Sequence, residues 1–360
     1  MMPTGQRQPT LTRLQTVFLF LAGAAIFFLL RPFQVEGGDT KIFLSPMWSF
    51  MYGRQLVWYT REPLAHTIIQ VIDIFTHDRR LAFQISGAVC GGLYLVVLSR
   101  FSLNPLFWLI TLLSSATWVF VGHFEYYAPI AVALAFYYLM LVRALEREPR
   151  ATPAAVGWAF SLAFLMHKGS LFFLPAMLWL MFRREGGRWA RRPWPGRRLE
   201  WGIAAATAGF FIDMIPALLA QMNIGMLYIT VNEKIYELIT PPTQAIADWI
   251  AAHNTTGLWW VYLLGRPLHW AYFFGFLAAG APLGLPVLAW QLLKRRKHWI
   301  GSDGAKALLT ASAIAVVWIF FWHPRALWMD WDLFAMGTLP VNLLAGGIVA
   351  GIFAREDSVV

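Results

Sequence analysis

The sequence predicts an all-α polytopic membrane protein, with about ten transmembrane helices in a single domain over residues 1–360. Of its residues 58% are hydrophobic and only 13% are charged, whereas about 25% of an ordinary soluble domain is charged. Apolar runs near the roughly 20 residues that a membrane-crossing helix needs recur along the whole chain. The first run has no small-residue cleavage site after it, so we expect an anchor and not a removed signal peptide. No separate soluble domain is predicted.

Ten segments carry this apolar character. In chain order they cover residues 14–30, 81–98, 105–121, 126–142, 153–166, 171–182, 201–219, 270–293, 308–322 and 336–353. The fifth and sixth are short for a membrane crossing and meet at His167-Lys168-Gly169. Because basic residues flank this pair on both sides, it predicts a hairpin whose tip lies on the outer side.

Basic residues are distributed unevenly over the loops between these segments. The two termini and the loops after segments two, four, six and eight hold 19 Lys and Arg against 7 acids, and the remainder holds 10 against 12. Positive charge marks the cytoplasmic side, so both termini and the loop 182–200 are predicted to be cytoplasmic. This dense basic loop is also expected to contact anionic lipid head groups. The asymmetry accounts for the net charge of +10 and argues against nucleic-acid binding.

This topology exposes two long outer segments, 31–80 and 220–269. Within the first, 46–60 and 64–75 are aromatic and amphipathic, which predicts helices lying in the membrane interface. The single cysteine, Cys90, lies in the second apolar segment. The chain therefore forms no internal disulfide and no cysteine metal site.

Two carboxylates beside two glycines follow the first apolar segment. Glu36 and Asp39 flank Gly37-Gly38, and glycine permits a tight turn that holds both acids near the membrane surface. A membrane enzyme would hold an acid in that position. A solvated loop is the alternative interpretation of the same pattern.

Further ionisable residues gather in short outer turns, which hold them close to hydrocarbon, where charge is costly and usually functional. One turn contains His123, Glu125 and Tyr126. A second contains Asp330 and Asp332, whose spacing suits magnesium or manganese on an extended backbone. An interfacial tryptophan belt explains the second pattern equally well.

The turn between the two short segments has two interpretations. Paired short segments with polar residues between them are a pointer to a site at membrane depth, and His167 and Lys168 would then line a cavity. A hairpin tip that reaches the interface is the alternative. Asp213, in the outer half of segment seven, is either functional for the same reason or paired with a neighbouring arginine.

Four places within 14–180 resemble the GT-C class of integral-membrane glycosyltransferases, especially the branch of the protein O-mannosyltransferases and the lipid A aminoarabinose transferase. They are Gly38-Asp39, the segment 61–66 followed by 81–87, Glu125-Tyr126-Tyr127, and His167-Lys168-Gly169. The chain departs from the family pattern where Asp39 is followed by threonine instead of a second acid.

The resemblance implies an inverting glycosyltransferase of the cell envelope. It would move a hexose or pentose from a dolichyl- or polyprenyl-phosphate carrier to an extracytoplasmic glycan, lipid or protein, at the bacterial plasma membrane. The resemblance makes Asp39 the general base. Lys168, with Arg61 or Arg325, would balance the negative charge of the departing phosphate. The remaining predicted substrate-binding residues are Glu36, His123, Glu125, Tyr126, His167, Asp330 and Asp332. No cofactor is implied with certainty, and a divalent cation, magnesium or manganese, is left open.

Two other functions remain open at this stage. A transporter or flippase of a lipid-linked or anionic solute would use the same outer charges as a substrate path, although internal repeats typical of transporters are not evident. A non-catalytic GT-C-like membrane subunit would keep the fold as a scaffold.

Overall fold

A computed structural model of the chain describes residues 10–34, 62–146, 148, 151–185, 188–219, 264–294, 299–321 and 331–353. In these ranges the protein is almost entirely helical. The α-helices are α1 Arg13–Leu30, α2 Pro63–Thr76, α3 Arg79–Phe101, α4 Pro105–Leu112, α5 Ser115–Trp118, α6 Tyr127–Leu145, α7 Pro153–Met166, α8 Leu178–Met181, α9 Arg198–Leu219, α10 Pro267–Gly280, α11 Gly284–Lys294, α12 Asp303–Phe321 and α13 Trp331–Val349. Two 3₁₀ helices cover Arg31–Phe33 and Lys168–Met177, and β1 Phe182–Glu185 pairs with β2 Arg188–Arg191 in an antiparallel hairpin.

Several of these helices have the length and composition of membrane spans. Within the described ranges, α1 with the 3₁₀ turn after it, α3, α6 and α12 could each cross a membrane, and the bent pair α10–α11 could supply a fifth crossing. Helices α2, α7 and most of α13 are apolar but shorter. The chain is therefore an all-α membrane protein, as predicted, and the number of ten crossings stays a prediction.

The third predicted span, 105–121, is not one continuous helix. Helix α4 ends at Leu112, and only the single turn α5 follows before the chain bends into α6. The hydroxyls of Thr111 and Ser114 donate to the carbonyls of Phe107 and Thr111 at 2.8 Å each. Such bonds let a hydroxyl compete with the helical ladder, so this segment is a broken helix and not the continuous helix expected of a span.

The eighth predicted span, 270–293, is also divided, because α10 and α11 meet at 92°. Pro282 between them has no backbone N–H to continue the helix. Two buried side chains of α13 stabilise the break, since the Thr338 hydroxyl and the Asn342 amide donate to the Gly280 carbonyl at 3.0 and 2.8 Å. The bend is thus built into the packing of α10 on α13.

The sixth predicted span, 171–182, lies where a 3₁₀ helix and the short helix α8 occur. The 3₁₀ helix runs for ten residues, from Lys168 to Met177, and contains Pro175. Runs of 3₁₀ helix longer than about four residues are uncommon. The segment therefore has its predicted position, but only its last turn is α-helical.

Helix α6 forms the centre of the bundle and contacts α3, α7, α12 and α13. Its Tyr137 and Tyr138 are fully buried. The Tyr137 hydroxyl donates to the Phe173 carbonyl of the 3₁₀ helix at 3.1 Å. This bond fixes the 3₁₀ helix, and with it the turn at Lys168, against the centre of the fold.

One end of the bundle collects the helix ends that the charge pattern assigns to the cytoplasm. Glu146, after α6, accepts hydrogen bonds from the Ser302 hydroxyl and the Gly304 N–H at 2.6 and 2.9 Å. Arg192, after the hairpin, pairs with Asp303 at the start of α12. The ends of α6, the hairpin and α12 therefore meet, in agreement with the predicted alternation of loops.

Helix α2 confirms the helix predicted at 64–75. Its Ala65, His66 and Ile69 are buried where the helix packs on α3 and α7, whereas Phe75 is 81% exposed. This division between a buried and an exposed apolar face suits a helix at a membrane interface. The helix predicted at 46–60 and nearly all of the outer segment 220–269 lie outside the described residues.

Candidate functional site

The predicted site residues fall into two groups. His123, Glu125, Tyr126, His167 and Lys168 are described with their side chains. Asp39, the predicted base, is not, and neither are Glu36, Arg61, Arg325, Asp330 and Asp332. Their roles stay predictions.

Helices α7 and α9 position the first pair of charges. Gly157 lies so close to the carbonyl of Gly202 that any side chain there would clash, and the Ser161 hydroxyl contacts the Ala206 carbonyl at 3.1 Å. Both contacts join residues 45 positions apart, as expected for two helices that run in the same direction in constant register. Small residues allow this close approach between membrane helices.

Lys168 and Asp213 continue this register and form a buried ion pair. The Lys168 ammonium lies 2.6 Å from the Asp213 carboxylate, and their side chains are 5% and 2% exposed. A neighbouring arginine was one of the two interpretations of Asp213, and the structure gives Lys168 as its partner instead. Removing one member of a buried pair leaves an uncompensated charge, which is far more costly than losing a surface ion pair.

Glu62 and His167 form a second polar pair beside the first. The His167 Nε2 lies 3.2 Å from the Glu62 carboxylate, and its Nδ1 accepts the Gly169 N–H at 2.9 Å. A nitrogen that accepts a hydrogen bond carries no proton, so this geometry assigns His167 the neutral tautomer with the proton on Nε2. The bond to Gly169 also caps the start of the 3₁₀ helix.

The two pairs belong to one cluster, which we call the turn network: Glu62, His167, Lys168 and Asp213. Glu62 interacts electrostatically with Lys168 as well as with His167. The network therefore joins the start of α2, the turn after α7 and the C-terminal half of α9. With His167 neutral, its two carboxylates and one ammonium give a formal charge of −1.

The other described site residues lie beside this network. His123, Glu125 and Tyr126 are 2–5% exposed, so they belong to the packed interior. The His123 ring lies 5.3 Å from Trp331 and 6.5 Å from Tyr127, and Tyr127 lies 6.1 Å from the His167 ring. Contacts between aromatic rings thus connect the segment 123–126 to the turn network.

A largely apolar pocket opens next to the same residues. It has an empty volume of about 370 Å³ and lies between α6, the 3₁₀ helix, α12 and α13. We call it the aromatic pocket, and its lining includes Tyr127, His167, Ser170, Phe172, Phe173 and Trp318. His167 belongs to both the pocket and the turn network, which makes the two features one continuous site.

The length of α7 indicates where this site would lie in a membrane. Its 14 residues span about 21 Å at 1.5 Å per residue, which is less than the roughly 30 Å hydrocarbon core of a bilayer. We therefore expect the turn at His167 to lie below the outer membrane surface. Non-helical backbone at that depth must be buried in protein or line a cavity, and Lys168 is buried while His167 lines the pocket.

The proposed magnesium or manganese ligands are only partly described. Trp331 and Asp332 lie in the first turn of α13, whereas Asp330 lies outside the described residues. The expected spacing of the Asp330–Asp332 pair stays a prediction. Within the described ranges no group of three or more His, Cys, Asp or Glu side chains could hold a metal ion. The divalent cation stays a prediction.

Sequence reasoning missed two members of the site. Glu62 entered only as part of the segment 61–66, and Tyr127 only as the last residue of Glu125-Tyr126-Tyr127. A usable signal for Glu62 was present, because it is an acid directly before the apolar run of α2.

The site offers one ammonium group, two carboxylates and a neutral imidazole at the edge of an apolar cavity. This combination suits an amphiphilic ligand, whose polar head would meet the turn network while its apolar part enters the aromatic pocket. Comparisons of the chain with protein-family models, with curated proteins and with solved structures find no match.

Proposed function

We propose that this protein is a GT-C-type glycosyltransferase that moves a sugar from a polyprenyl-phosphate carrier to an extracytoplasmic acceptor, with inversion at the sugar carbon. The observation that carries the proposal is the buried turn network beside the aromatic pocket. It is built on His167-Lys168-Gly169, one of the places where the sequence resembles that class.

The lipid tail and the polar head of the donor would bind to different parts of the site. Its lipid tail stays in the bilayer, and the first isoprenoid units would lie against aromatic side chains such as Phe172 and Trp318. Its phosphate and sugar would face Lys168 and the buried turn of His123, Glu125 and Tyr126. Buried polar groups at fixed positions give a site its orientation and specificity.

The negative charge of the turn network limits how much of a phosphate's charge Lys168 can balance alone. The turn network is formally −1, so a phosphate needs further positive charge. Arg61 directly precedes Glu62 in the sequence, and we propose Arg61 with Arg325 as the main phosphate ligands. An ammonium has three donors, so Lys168 can keep Asp213 and still donate to the phosphate.

The remaining roles follow the resemblance. Asp39 would remove the proton from the acceptor hydroxyl as general base. Glu36, Asp330 and Asp332 would complete the substrate surface, with a magnesium or manganese ion as an optional partner. The acceptor is an extracytoplasmic glycan, lipid or protein.

The proposal requires ten crossings with both termini in the cytoplasm of a bacterial cell. We expect Ala190→Cys in the hairpin, combined with Cys90→Ala, to resist an impermeant thiol reagent in intact cells. The same cysteine should react after the membrane is permeabilised. Strong labelling from outside intact cells would contradict this topology.

A transporter or flippase is the second candidate, and the Lys168–Asp213 pair favours it specifically. Ionisable residues buried in membrane helices often line proton or substrate paths. The two candidates differ in their product. A flippase moves the intact carrier across a liposome membrane, whereas the transferase releases a polyprenyl phosphate without its sugar.

Mass spectrometry of lipid-linked sugars tests the proposed function in cells. We expect a polyprenyl-phosphate sugar to accumulate when the gene is deleted and to return to its normal level when the gene is restored. The mass of the accumulated species would also identify the sugar. An unchanged set of lipid-linked sugars would count against the transferase.

A further inference from the structure

A groove lies at the opposite end of the bundle, between the β-hairpin and the start of α9. Its empty volume is about 400 Å³. The lining residues are Met181, Phe182, Arg191, Leu199, Glu200 and Ile203. We call it the hairpin groove. It combines apolar walls with one arginine, and neither the turn network nor the proposed transferase uses it.

The hairpin register determines which arginine belongs to this groove. Phe182 pairs with Arg191 across the strands, and cross-strand partners share a face of a sheet. Arg188 lies three positions before Arg191 on the same strand, so its side chain belongs to the other face. Both arginines are exposed, and they therefore provide equal charge on opposite faces.

Arg191 is available to a ligand in spite of a nearby acid. Its guanidinium lies 3.9 Å from the Glu200 carboxylate, and the two side chains are 75% and 57% exposed. Exposed pairs of this kind contribute at most about 1 kcal/mol. An anion that desolvates Arg191 against the apolar wall can displace Glu200.

The surroundings of the groove are those of a membrane interface. Ile203 and Trp201 on α9 are 47% and 66% exposed, and Trp189 on the hairpin is 63% exposed. Exposed tryptophan beside arginine is typical of the head-group layer. The segment 182–200 carries seven arginines against two glutamates, which complements an anionic surface.

We propose that the hairpin groove binds one anionic phospholipid, with its phosphate on Arg191 and an acyl chain along Phe182 and Ile203. The apolar walls favour a lipid over a soluble anion, because they offer nothing to a free phosphate. The hairpin groove takes no part in the proposed sugar transfer, so lipid binding there can be tested separately from the proposed function.

Native mass spectrometry of the purified full chain tests this site, with phosphatidylglycerol and phosphatidylcholine of the same acyl chains as probes. We expect the wild type to retain phosphatidylglycerol in preference to phosphatidylcholine. Arg191→Gln should weaken phosphatidylglycerol binding about fivefold, the typical contribution of one basic residue at a membrane surface. Arg188→Gln is the matched control and should change it little.

Two further variants distinguish the groove from general surface charge. Glu200→Gln should strengthen phosphatidylglycerol binding, because it removes the competitor for Arg191. Ile203→Trp should weaken it by filling the groove without changing any charge. Equal losses in Arg191→Gln and Arg188→Gln would show diffuse attraction and overturn the proposal, as would equal retention of the two lipids by the wild type.

Discussion

Replacing Asp213 by valine is expected to destabilise the protein by about 3–5 kcal/mol, because it leaves the Lys168 ammonium buried without its counter-charge. The pair lies 2.6 Å apart with both side chains almost fully buried. Lys168→Met should cost a similar amount for the converse reason. Chemical denaturation of the purified variants measures both changes.

The double variant Lys168→Met/Asp213→Val separates folding from function. Apolar replacement of a whole buried ion pair is often neutral or stabilising, so the double variant should regain most of the lost stability. If the pair serves only the fold, activity will return with stability. We expect instead that sugar transfer stays low, because the site has lost its ammonium group.

A more exposed ion pair provides the control for these variants. The Glu148 carboxylate lies 3.5 Å from the Arg143 guanidinium, and the two side chains are 51% and 28% exposed. Glu148→Val should cost no more than about 1 kcal/mol. Equal losses of stability from Glu148→Val and Asp213→Val would contradict the large cost expected for breaking the buried pair.

Helices with long apolar runs and local caps could be predicted from the sequence. Helix α7 has its predicted limits, 153–166, because Thr152 caps its first turn and Pro153 suits a first helical position. Helices α1, α3 and α6 extend one to three residues beyond most of their predicted ends. In these helices the local signals and the final packing agree.

The bends and the turn network depend on contacts between distant parts of the chain. Pro282 is a local signal for the break in 270–293, but the bonds from Thr338 and Asn342 of α13 that stabilise it come from a distant part of the chain. The partner of Asp213 depends on the register of α7 and α9, and glycine contacts fix that register only after both helices have packed. The sequence therefore predicted a polar turn at His167-Lys168-Gly169, but not which charged side chains form pairs there.

Asp39→Asn is expected to lower sugar transfer by about 10² to 10⁴-fold, the typical contribution of general base catalysis. The amide keeps the shape of the side chain but removes its negative charge and most of its basicity. Because the change preserves shape, folding and donor binding should persist. The loss should therefore appear in kcat more than in KM.

Glu36→Gln is the comparison for this variant, since it also replaces a carboxylate by an amide of the same shape and Glu36 lies on the other side of the same two glycines. It should reduce transfer less than Asp39→Asn, while the thermal stability of both variants stays close to that of the wild type. A protein with Asp39→Asn that is as active as the wild type would remove Asp39 from the mechanism. A large loss at Glu36 alone would make that residue the base.

The central claim, sugar transfer from a polyprenyl-phosphate donor, is tested most directly with the purified protein in lipid nanodiscs. The lipid-linked sugar that accumulates in the deletion strain serves as donor, and a membrane extract of the same cells supplies the acceptor. We predict that wild-type protein releases polyprenyl phosphate and passes the sugar to the acceptor, and that Lys168→Met/Asp213→Val, although folded, does neither. Folded wild-type protein that leaves the donor intact would contradict the claim and favour a transporter or a non-catalytic subunit.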